Sequence, residues 1–146
     1  MQTIEFDSGI REYRIGGGGV LRFNPQDPNL YARFSEAGQK ITQVEKELTK
    51  KAKTMDQQES GLAAVKLLKD ADQKMKEILS WVFGDGNDFD RILGGVNLLA
   101  VGKNGQRVVT NLFNALQPIL VQGAEACAKA QVENAVARAQ ERRTGQ

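Results

Sequence analysis

The chain has 146 residues, with 20 Lys and Arg against 18 Asp and Glu, no His and a single Cys. That is one domain's length, and a net charge of +2 gives no strong pull toward nucleic acid or an anionic membrane. Lacking His, the chain is without the commonest general base and metal ligand, and one Cys cannot form an intramolecular disulfide, so catalytic and zinc-site readings start at a disadvantage.

Residues 2 to 23 alternate apolar and polar positions in three short runs, Thr3 to Phe6, Ile10 to Ile15 and Val20 to Phe23, and predict a small antiparallel meander. Its turns would be Asp7-Ser8-Gly9 and Gly16-Gly17-Gly18-Gly19. The glycine run is followed by neither Lys-Ser/Thr nor a helix, so it reads as a flexible hairpin loop, not a phosphate cradle. At Asn24-Pro25-Gln26-Asp27-Pro28 the hydrophobic period changes from two to near 3.6. Asp27 is placed to cap the free amides of a helix, and Pro28 suits the first helical position, where its missing N–H costs nothing.

Leu30, Phe34, Ala37, Ile41, Val44 and Leu48 then recur at spacings of four and three, the seam of a helix running to about Thr54. Its outer face, Lys40, Glu45, Lys46, Glu47, Lys50, Lys51 and Lys53, mixes both signs without aromatics, which favours a solvated face over a nucleic-acid stripe. A polar break from Met55 to Ser60 precedes a second helix with Leu62, Val65, Leu68, Met75, Ile78, Leu79, Val82 and Phe83 on one side, giving either an antiparallel hairpin or, if the break fails, one long rod. Trp81 reads as a core anchor.

Gly84 suits a left-handed cap and Asp88 caps a short turn from Phe89 to Leu93. The acids around it do not follow the EF-hand spacing: Phe89 and Asp90 stand at its fifth and sixth positions and Val96 at its twelfth. Gly94 to Gly102 is an apolar segment, a short helix or a docked loop, followed by the turn Lys103-Asn104-Gly105. Helical spacing resumes from Gln106 to Leu120, with Pro118 as a kink, and an Ala-rich helix runs from Gly123 to about Arg143. Cys127, among small residues, reads as a structural thiol. The Ala-rich helix has little area to bury and either packs on another surface or protrudes.

The fold expected is therefore α+β, mostly α, in one domain over residues 1–146: a β-meander (1–23), a helical hairpin (28–83), a helical core segment (88–120) and a C-terminal helix (123–143). No residue set suggests a catalytic, cofactor or metal site. Phe34, Ile41, Val44, Leu48, Leu112, Phe113, Leu116 and Ile119 are the core or partner-facing positions.

In order along the chain, Phe23-Asn24-Pro25-Gln26-Asp27-Pro28, Phe83-Gly84-Asp85-Gly86, Asn104-Gly105 and Asn114-Ala115-Leu116-Gln117-Pro118-Ile119 resemble the tail assembly chaperones of long-tailed phages that infect Gram-positive bacteria. The resemblance covers most of residues 1–120. It implies a non-enzymatic protein of the host cytoplasm, absent from the mature virion. Such a protein binds the phage tape measure protein, self-associates, contacts neither nucleic acid nor membrane, and gives way to tail tube protein as the tube polymerises. Two other classes compete with this one: a structural protein of the tail or head-tail connector, and a small nucleic-acid-associated regulator.

Overall fold

The computed structural model describes residues 1–55 and 61–144. Two strands, β1 (Arg11–Arg14) and β2 (Val20–Phe23), pair antiparallel with Tyr13 opposite Leu21 and Arg11 opposite Phe23. Four helices follow: α1 (Pro28–Thr54), α2 (Gly61–Phe83), the short α3 (Phe89–Ile92) and α4 (Val108–Thr144). This is the expected α+β, mostly α fold.

The first run of the expected meander does not become a strand: among the described residues two strands pair, and residues 1–10 form an exposed arm without regular structure. The Asp7-Ser8-Gly9 turn does form, with the Gly9 amide donating to Asp7 Oδ1 at 2.9 Å and Gly9 at φ +75°. It closes no hairpin on β1, because Asn24 Nδ2 donates to the Ser8 carbonyl at 3.0 Å and pins the turn beside the start of α1. Ile4 and Phe6 are left 88% and 79% exposed. The glycine run does connect β1 to β2, but it is docked. The Gly19 amide donates to the Ile92 carbonyl at 3.0 Å, and a Cβ on Gly19 would come 2.7 Å from the Ile92 Cα, so only glycine lets the two backbones meet.

Asp27 caps α1 as expected, its carboxylate accepting from the Asn29 amide at 2.9 Å with Pro28 in the first turn. Helices α1 and α2 run antiparallel. Arg33 Nε near the start of α1 donates to the Val82 carbonyl at the end of α2 (3.0 Å), and further along Glu47 faces Lys74 at 3.9 Å. Hairpin geometry therefore holds over the described parts of both helices, while most of the polar break, residues 56–60, lies outside the described residues.

The core is built around Phe83. Its ring meets Phe23 at 5.1 Å, Phe34 at 6.5 Å and Phe89 at 5.6 Å; Tyr13 stacks on Phe23, and Phe113 stacks on Phe34 at 4.8 Å. Strand, hairpin and α4 thus share one aromatic cluster, and edge-on ring pairs of this kind add to the area they bury. The segment Gly94 to Gly102 proves to be a docked loop with Leu98 and Leu99 buried. The amides of Val108 and Val109 donate back to Ala100 and Leu98, joining the loop to the start of α4.

Helix α4 passes through Pro118 without interruption. Pro118 and Asn114 both face solvent, so water can satisfy the carbonyl that lacks its i+4 donor, while Leu116 and Leu120 are buried on either side. The helix also passes through Gly123, which is buried: a Cβ there would overlap the Pro25 carbonyl, so α4 lies directly on the strand-to-helix junction. Past Cys127, which is half-buried, every described side chain from Ala128 to Arg143 is exposed.

Candidate functional site

The eight positions singled out from the sequence divide by burial. Phe34, Ile41, Val44, Leu112 and Leu116 are less than 10% exposed and pack in the chain's own core; Leu48, Phe113 and Ile119 are partly buried against it. Ile41 and Phe113 come together in a shallow cleft between α1 and α4 with Gly38, Glu45, Val109, Thr110 and Asn114, and an Arg107–Glu45 contact of 3.7 Å crosses its rim. Val44 and Leu48 instead face α2, beside Leu67 and Ala71.

Three apolar surfaces of the folded body have no covering from the described residues. The first is the outer row of α2. Sequence spacing places Leu62, Val65 and Leu68 on the same side as Met75, Leu79 and Val82, yet they are 78%, 60% and 41% exposed. The seam toward α1 runs instead through Leu67, Ala71, Met75 and Val82, a helical face on which Leu62 and Val65 do not lie. The loop that covers α2 further along stops where Asn97 Nδ2 donates to the Leu68 carbonyl at 3.2 Å. The second surface is a groove between the end of α1 and the start of α2, lined by Leu48, Thr49, Ala52, Lys53, Met55, Ala64, Leu67 and Leu68. The third is the projecting part of α4, where Val132 and Val136 are 64% and 52% exposed among alanines.

Two buried polar constructions hold this framework, and neither was legible in the spacing. Asn87, 7% exposed, binds β2 as a further strand would: its Oδ1 accepts from the Arg22 amide, and its Nδ2 donates to the Arg22 and Phe83 carbonyls, each at 2.9 Å. The only sequence signal was an amide three residues past a helix-capping glycine. The second is Lys76, also 7% exposed, whose Nζ lies 2.8 Å from Asp72 and 2.6 Å from Asp90. Asp72 in turn accepts from the buried Leu98 amide at 2.8 Å. Burial opposes the charge on Lys76, but hydrogen bonds and charges from Asp72 and Asp90 outweigh it and raise its pKa above the ordinary 10.5. Together these side chains tie α2 to α3 and to the docked loop.

Trp81 is not the anchor expected of it. It is 39% exposed, with the Lys40 ammonium 3.6 Å from its ring centroid, a cation–π contact on the surface of the hairpin. Among the described residues no group of three or more His, Cys, Asp or Glu side chains is placed to hold a metal ion, and no helix is long and apolar enough to cross a membrane. No family model matches the chain, and no curated protein or solved structure matches it either.

Proposed function

We propose that this protein is a phage tail assembly chaperone that binds the tape measure protein and keeps it soluble until tail tube protein polymerises around it. One observation supports this reading above the others: Leu62 and Val65, 78% and 60% exposed, form an uncovered apolar pair near the start of α2 that continues into the 41% exposed Leu68. A row at helical spacing on an otherwise charged hairpin suits a client that is itself an apolar helix, by side-by-side packing. Val132 and Val136 on α4 offer a second, shallower contact with the same chemistry.

Neither surface is large, and that matches the task. A client held at many weak sites stays covered through multivalency, yet each copy leaves when a competing subunit takes its place, with no nucleotide-driven step. In this reading the chaperone works in the host cytoplasm, acts as a homo-oligomer, touches neither nucleic acid nor membrane, and is absent from finished particles.

Co-expression with a tape measure protein, followed by size exclusion of the soluble fraction, tests the reading. Wild-type protein should carry the client into a soluble complex. Leu62→Asp with Val65→Asp should lose it, because both positions are exposed and the variant keeps its fold. A client equally soluble with that variant, or insoluble with wild type, overturns the proposal.

A further inference from the structure

The arm and the groove lie at opposite ends of the hairpin, and each has the chemistry the other lacks. In the arm, Ile4 and Phe6 alternate with Glu5 and Asp7, so in an extended conformation the two apolar side chains share one side, and all four residues are exposed. The groove is apolar along its floor, from Leu48, Ala52, Met55, Ala64, Leu67 and Leu68. The charged group on its wall is Lys53, and the adjoining depression on α1 adds Lys46 and Lys50 around Glu47, which is engaged by Lys74. An apolar segment carrying carboxylates thus matches an apolar groove with the Lys53 ammonium on its wall and further lysines of α1 beyond it.

The arm cannot fill the groove of its own chain. It is anchored at Ser8 by Asn24, next to the start of α1. From Ser8 to Ile4 the extended chain reaches about 14 Å. From Pro28 to Leu48, where the groove begins, α1 rises roughly 30 Å. The only arm that can reach this groove belongs to another molecule.

We infer that the groove between the end of α1 and the start of α2 receives the Ile4-Glu5-Phe6-Asp7 arm of a second copy of this chain. Ile4 and Phe6 enter between Leu48, Ala52, Ala64 and Leu67, while Glu5 and Asp7 meet the lysines of α1. Each molecule gives its arm at one end and receives at the other, so the contact is head-to-tail and repeats until a ring closes or a filament grows. This assembly needs neither Leu62, Val65 nor any client; it gives a form to the self-association assumed in the chaperone reading, while client binding is tested separately.

Sedimentation velocity of the full chain and two variants decides it. Ile4→Asp with Phe6→Asp disables the arm, and Ala64→Glu blocks the groove; all three positions are exposed, and circular dichroism checks that both variants fold. Wild type should sediment as a species that grows with concentration, and each variant as a monomer. An equimolar mixture of the variants should form a dimer, one intact arm in one intact groove. A monomeric wild type, assembly surviving in either variant, or a mixture that stays monomeric would each overturn the inference.

Discussion

Asn87 does the work of an edge strand with one side chain. It satisfies the Arg22 amide and carbonyl that β2 turns away from β1, and in the same place closes the end of α2 at Phe83. Asn87→Ala removes all three bonds and leaves buried backbone groups unpaired, so it should cost about 3 kcal/mol, measured by urea unfolding. Lys76 gives a prediction of opposite pH sense from that of a salt-bridged acid. With its pKa raised in the folded chain, the stabilisation is complete below the ordinary lysine value of 10.5 and is lost as pH climbs through the raised one. The melting temperature of wild type should therefore carry an alkaline decline that Lys76→Met lacks. At pH 7 that variant should be less stable by about 3 kcal/mol, since Asp72 is left buried without its cation. Asp90→Asn should cost under about 1 kcal/mol, because the Asp90 side chain is 67% exposed.

At the scale of elements, what could be read from the sequence was what is local. The Asp27 cap, the extent of α1, the Gly84 cap at φ +109° and the short α3 all follow from signals within a few residues of where they act. What escaped depends on partners far along the chain. The arm alternates like a strand but meets no strand, and the outer row of α2 has helical spacing without a covering element. Pro118 and Gly123 look like breaks in a single-helix reading, yet the surroundings of each favour continuity: solvent beside one, the Pro25 backbone beside the other. The working positions suffered the same limit. Periodicity marked Phe34, Ile41 and Val44 as apolar, but only the packing of α1 against α2 and α4 shows that the chain itself consumes them. Gly123→Ala tests the continuity argument directly. Alanine is the better helix former, yet here it should destabilise by about 2 kcal/mol through overlap with Pro25, seen as a lower midpoint in thermal unfolding.

Over the whole molecule, covered and uncovered regions separate cleanly. The aromatic cluster around Phe83 gathers the sheet, the hairpin, α3 and the first half of α4, and the paired polar groups Asn87 and Lys76 lie against the same body. The uncovered apolar surfaces sit at its extremities: the arm beside β1, the far end of the hairpin, and the projecting length of α4. From Ala128 to Arg143 that last stretch extends roughly 24 Å at helical rise with every described side chain exposed. Within it, Lys129 faces Glu133 at 4.0 Å along the same helix. Drift at those exposed sites is policed chiefly by helix propensity and by whatever the rod meets, so a lineage could retune its choice of associate there, letter by letter, while the folded body stays as it is.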